Sequence, residues 1–155
     1  MLDRRLHTTI TTSRPLQLDV MKRGRGMDIH EGAFIGIIQS VKDAVEGGQH
    51  ANTTDKYGMT AIHKAAANGH LEVLQYLTEC GGNIHTKDNT GFTAMHVAAS
   101  NGHIQTVKWL VKNGADIHAC SYKGKTPYEA AKRNNQIEVS SFLKEIGREK
   151  CTWEV

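Results

Sequence analysis

Apolar side chains recur at helical spacing in two runs of the chain, Leu71, Val73, Leu74, Tyr76, Leu77 and Ile104, Val107, Trp109, Leu110, Val111. Each run predicts an amphipathic helix with one buried stripe. Ahead of each stands a segment carrying an alanine pair, Ala65-Ala66 and Ala98-Ala99, which predicts a second helix whose neighbours approach closely. Thr60, Thr93 and Thr126 stand where a hydroxyl accepts a hydrogen bond from the amide three residues on, and Thr126 with Glu129 forms a capping box. Gly69 and Gly102 end the alanine-bearing helices and Gly81 and Gly114 stop the apolar ones. The stretches from Asn83 to Gly91 and from Asp116 to Gly124 then read as protruding hairpin-like turns. Each predicted helix is about eight to ten residues long, too short to persist alone in water, so its stability must come from a neighbour.

That neighbour is another copy of the same unit. Residues 55–87 laid on 88–120 agree at Asp55/Asp88, Gly58/Gly91, Thr60/Thr93, Ala61/Ala94, His63/His96, Ala65/Ala98, Ala66/Ala99, Asn68/Asn101, Gly69/Gly102, His70/His103, Leu77/Leu110, Gly81/Gly114, Ile84/Ile117 and His85/His118. The frame runs forward through Gly124, Thr126, Pro127, Ala131 and Leu143, and backward through Ile29, His30, Ala33, Gly36, Val41, Gly48 and Asn52. Four units result, and a period of about this length is the mark of a solenoid whose units bury their apolar faces on one another.

The pattern Gly-x-Thr-x-x-His-x-Ala-Ala-x-x-Gly-His, followed by an apolar helix and Gly-x-x-Ile-His, resembles the ankyrin repeat. The resemblance spans residues 27–147 and implies an all-α solenoid of stacked helix-turn-helix units with protruding hairpin loops. Its parts are a basic leader at 1–26, an N-terminal capping repeat at 27–54, repeats at 55–87 and 88–120, a C-terminal capping repeat at 121–147 and a tail at 148–155. The outer units depart from the pattern. The first lacks the Gly-x-Thr-Pro hairpin, and the last has Glu129 for histidine and Asn135-Gln136 for Gly-His. Lys132, Ser140 and Lys144 occupy columns that inner units fill with Ala66/Ala99, Leu74/Val107 and Thr78/Val111, so the last unit presents a polar face that cannot bury a fifth repeat.

Charge sharpens the partition. The chain carries a formal +3, but Arg4, Arg5, Arg14, Lys22, Arg23 and Arg25 against Asp3 and Asp19 concentrate positive charge in the first 25 residues. The repeats are close to neutral, which argues against nucleic acid as the partner of the folded part. The leader keeps a second reading open, a nuclear transcription cofactor or nucleic-acid-associated protein, and its Arg- and Thr-rich composition also resembles a mitochondrial presequence. Its polar, aperiodic sequence predicts disorder. Cys80, Cys120 and Cys151 are an odd number with no Cys-x-x-Cys pair, so neither a disulfide framework nor a zinc ribbon is indicated. A reducing compartment, cytoplasm or nucleus, is expected. No apolar stretch approaches the roughly 18 residues of a membrane span.

Nine histidines raise metal and acid-base chemistry. Seven fall into columns, His30/His63/His96, His70/His103 and His85/His118, and column mates in a stack are spread along its axis rather than gathered on an ion. No phosphate loop, nucleophile elbow or dinucleotide fingerprint is present. Neither catalytic residues nor a metal nor a cofactor is expected, and the chain reads as a monomeric binder of another protein.

The resemblance places the binding surface on hairpin tips and on the concave face of the inner helices, where columns differ between units. The candidate contact residues are Phe34, Ile35, Tyr57, Met59, Asn68, Phe92, Asn101, Tyr122, Lys125 and Arg133, with Phe34, Tyr57, Met59, Phe92 and Tyr122 as anchors, because aromatic and Met side chains bury large areas at modest entropic cost. Asn52 occupies the hairpin column where many ankyrin repeats carry an asparagine resembling the target of asparaginyl hydroxylation, which makes it the candidate modification site. His85 and His118 hold that column later on.

Overall fold

The computed structural model describes residues 26–151. The leader, apart from Gly26, and residues 152–155 lie outside them. Eight helices follow one another among the described residues: α1 Ile29–Ile35, α2 Ile38–Glu46, α3 Ala61–Asn68, α4 Leu71–Glu79, α5 Ala94–Asn101, α6 Ile104–Lys112, α7 Pro127–Arg133 and α8 Ile137–Cys151. Odd-numbered helices pack on one another in chain order, each packs on its own even-numbered partner, and the even-numbered helices form a second, looser row. The all-α stack read from the period is therefore the fold.

The alanine columns explain the close row. Ala33, Ala65, Ala66, Ala98, Ala99 and Ala131 are fully buried, so inner helices meet at short range with little side chain between them. Val41, Val73, Leu74, Leu77, Val107, Leu110, Val139 and Leu143 fill the space between inner and outer rows. Gly69 closes α3 at φ 71°, and a Cβ there would lie 2.6 Å from the His103 ring. Glycine is thus required twice, for the left-handed backbone and for contact with the next unit. In the last unit Asn135 takes that conformation with φ 58°.

At the caps the threonine prediction gains a second partner. Thr126 behaves as expected: its hydroxyl accepts from the Glu129 amide at 3.3 Å, and the Glu129 carboxylate accepts from the Thr126 amide at 2.9 Å. At Thr60 and Thr93 the box closes on histidine instead. The Thr60 amide donates to His63 Nδ1 at 3.1 Å and its Oγ1 lies 2.9 Å from the same nitrogen. Thr93 and His96 repeat this at 3.2 and 3.0 Å. The opposite ring nitrogens donate to the next hairpin, His63 Nε2 to the Phe92 carbonyl at 3.0 Å and His96 Nε2 to the Lys125 carbonyl at 2.8 Å. A carbonyl only accepts, so Nε2 carries the proton and Nδ1 is the acceptor, which fixes one neutral tautomer. Each ring caps its own helix and pins the following repeat. Burial pushes both imidazoles below their ordinary pKa, more than the carbonyl bonds raise it.

Candidate functional site

Two rows of groups run across the repeats. The first follows the ends of the inner helices through Phe34, Ala67, Ser100 and Arg133, one per unit. Its register is set by asparagine: Asn68 Nδ2 donates to the Phe34 carbonyl at 2.6 Å, Asn101 to Ala67 at 2.7 Å and Asn134 to Ser100 at 3.0 Å. His70 and His103 add a second donor to the Phe34 and Ala67 carbonyls, at 3.1 and 2.9 Å. Asn68 and Asn101, read from the sequence as contact residues, therefore have architectural partners one repeat back. Their shared identity in the repeat was the signal that weighed against a binding role. Ile35 holds the same column in the first unit, where no earlier carbonyl exists among the described residues, and its side chain is 47% exposed.

The second row is the hairpin tips. Within each, an acceptor side chain at the first position holds the turn: Asp55 accepts from the amides of Tyr57 and Met59 at 2.8 and 3.0 Å, and Asp88 from Thr90 and Phe92 at 2.8 and 2.9 Å. Ser121 serves the third turn through Lys125 N–H at 3.1 Å. Adjacent tips are then joined main chain to main chain, Asn89 N–H to the Tyr57 carbonyl at 3.0 Å and Tyr122 N–H to the Thr90 carbonyl at 3.1 Å. Tyr57 and Tyr122 stand on this continuous edge 57% and 71% exposed.

Lys64 ties the rows together. It projects from α3 to the Asp55 carboxylate at 2.8 Å and lies 5.9 Å from the centre of the Tyr57 ring, over which Lys56 also sits at 4.9 Å. Lys64 shares a helix face with Ala67 and Asn68, three and four residues on, so tips and inner-helix ends look to the same side. Burial pushes the Asp55 carboxyl up, but the Lys64 bond and the two tip amides outweigh it and hold the group below its ordinary value. Lys64 had no place among the sequence candidates, because its column holds Glu31, Val97 and Ala130 in the other units and repeats no cation there.

Not every predicted anchor is available. Phe34, at 52% exposure, stands free with the two tyrosines. Phe92 is half-buried, its ring stacked on His96 at 5.1 Å between centroids and 10° between planes. It supports the histidine cap as well as offering an edge. Met59 and Lys125 are also half-buried, while Arg133 is exposed. Asn52 has both ends of its amide engaged by the next unit, donating to the Gly81 carbonyl at 3.0 Å and accepting from the Asn83 amide at 2.7 Å. Hydroxylation there would act on a residue that already clamps two repeats.

Among the described residues no group of three or more His, Cys, Asp or Glu is placed to hold a metal ion. No helix among them is long and apolar enough to cross a membrane. Comparison with known families matches residues 29–120 to the family described as ankyrin repeats, in three copies. Comparison with curated proteins gives no match.

Proposed function

Because this chain belongs to the ankyrin-repeat family, whose members are generally protein-interaction modules and typically not enzymes, we propose that it is a non-catalytic adaptor, scaffold or inhibitor that acts by occupying a protein partner. The partner is gripped by Phe34, Tyr57 and Tyr122, with Lys56, Lys123 and Arg133 around them. One observation carries the reading: these three aromatic side chains, each more than half exposed, stand on backbone held in register from unit to unit. Exposed aromatic rings on a rigid edge lose little freedom on binding and bury much area, the ordinary make-up of an interface anchor. The surrounding lysines and arginine favour a partner segment carrying carboxylates.

The test begins with proximity labelling in the native cell, followed by measurement of the recovered partner's affinity for purified protein. Replacing Phe34, Tyr57 and Tyr122 together by alanine is expected to weaken that affinity at least tenfold, about 1.4 kcal/mol or more. The helical circular dichroism should stay unchanged, because none of the three lies in the buried core. Unaltered affinity in a folded triple variant would reject this face.

A further inference from the structure

A cavity of about 520 Å³ opens at the C-terminal end of the stack, lined by Ile117, His118, Thr126, Tyr128, Leu143, Lys144, Gly147 and Arg148. Its origin lies in the repeat frame. In the second unit the outer helix stops at Gly81, whose φ is 87°, and the chain returns beneath the inner helix so that Gly82 closes against Ile62 and Leu77 and Ile84 is buried. The third unit does the same after Gly114, at φ 85°, with the Ala115 amide donating to the Leu110 carbonyl and with Ala115 and Ile117 buried. The corresponding glycine of the fourth unit is Gly147. It keeps helical backbone, α8 runs on to Cys151, and among the described residues no hairpin turns back. The frame also puts Lys150 in the column of Ile84 and Ile117. Tyr128, which shares a column with Ile62 and Met95, is left half-buried at the edge of the slot, and Leu143, in the column of Leu77 and Leu110, stays buried beneath it.

The last unit thus presents two different surfaces. Its helix face carries the polar Lys132, Ser140 and Lys144. The slot beneath is apolar at its floor, through Ile117, Tyr128 and Leu143, and cationic at its mouth, through Lys144 and Arg148. Among the described residues that line it there is no carboxylate.

We propose that this slot is a second binding site, separate from the hairpin-tip face, and that it takes an acidic-aliphatic turn of a partner protein: an Ile, Leu or Val side chain on the floor beside an Asp or Glu at the mouth. Two observations select that chemistry. The equivalent position of the second and third units is taken by an isoleucine next to a turn-forming Asn or Asp, Asn83-Ile84 and Asp116-Ile117, which selects the aliphatic side chain. The fourth unit adds two cations at the mouth, so an acidic neighbour gains there what a neutral or basic one does not. The volume is within the range of sites that seat a few side chains of a ligand.

A probe exists in the chain itself. The peptide Asn-Gly-Ala-Asp-Ile-His, capped at both ends, has the sequence of residues 113–118 and the required acid-aliphatic pair. Titrated into the full-length protein, it is expected to shift the NMR signals of Tyr128, Leu143 and Gly147. Binding should weaken about fivefold or more in a Lys144→Glu/Arg148→Glu variant, and similarly with added salt or with lysine in place of the peptide's aspartate. Both replaced side chains are exposed, so the variant keeps the core intact. Serine in place of the peptide's isoleucine is expected to abolish the shifts. Absence of shifts at millimolar peptide would overturn the proposal. So would shifts confined to the hairpin tips, or indifference to the charge reversals. Slot signals that depend on protein concentration without peptide would assign the site to a second copy, and peptide binding that appears only after Trp153→Ser would assign it to the chain's own last residues. Either result also overturns the partner reading.

Discussion

His63 and His96 show how one side chain decides both a local structure and a response to conditions. Each ring must be neutral, because its Nδ1 accepts from a threonine amide while its Nε2 donates to the next hairpin. Their folded pKa values lie below the ordinary 6.5, so the unfolded chain takes up protons first as pH falls. The stability they contribute is complete above 6.5 and is lost as pH drops below it toward the depressed folded values, by at most about 1.4 kcal/mol per pH unit for each ring. Asp55 follows the same sign in a lower window, beneath its ordinary 3.8. Thermal melting at about pH 7.5 and about pH 5 is expected to show a lower midpoint in acid, and His63→Gln/His96→Gln should reduce that difference while lowering the midpoint at neutral pH. A variant whose acid sensitivity equals that of the parent would remove these rings as its source. The sequence put these histidines in a repeating column and so in the architecture. It did not give their bonding, since the usual capping box ends in Glu or Gln and the second acceptor lies 29 residues away in the next hairpin.

At the scale of helices, the boundaries were the most legible feature, because glycine and threonine recur at fixed offsets and each has a steric or hydrogen-bonding duty there. The duties differ in severity between glycines. Gly69 and Gly114 both require left-handed backbone, at φ 71° and 85°, but a Cβ on Gly69 would run into His103 while Gly114 has nothing within 4 Å. Gly114→Ala is expected to cost about 1–2 kcal/mol from backbone alone. Gly69→Ala should cost roughly 1 kcal/mol more, since His103 must leave the Ala67 carbonyl. Urea unfolding of the two variants measures the difference, and equal losses would mean that the His103 contact yields without penalty. Less legible was which variable columns are free. Phe34 and Asn68 both read as surface positions, and only the fold shows that Asn68 reaches back to the carbonyl of Phe34. The open slot beside Gly147 was likewise hidden, because the sequence repeats the glycine while the helix runs through it.

For the whole molecule, stability is spread over interfaces between consecutive units rather than gathered in one centre, since inner helices meet only their neighbours in the row. Such a frame resists sliding, because carbonyls at Phe34, Ala67 and Ser100 are each claimed by the unit that follows. The bonds between tips extend this rigidity to the exposed edge, and they turn it into a ruler. Tyr57 and Tyr122 belong to units two steps apart, and stacked helices are spaced about 8–10 Å, so the tips that carry them stand roughly 16–20 Å from each other. An extended strand advances about 3.3–3.6 Å per residue, which makes about five or six residues the length of ligand that spans both tips. Peptides trimmed from a partner should therefore lose affinity abruptly, not gradually, when they fall under that length, and a smooth decline would mean that the rings are engaged one at a time. Graduations this coarse select ligands by how far apart their side chains fall before they select by what those side chains are.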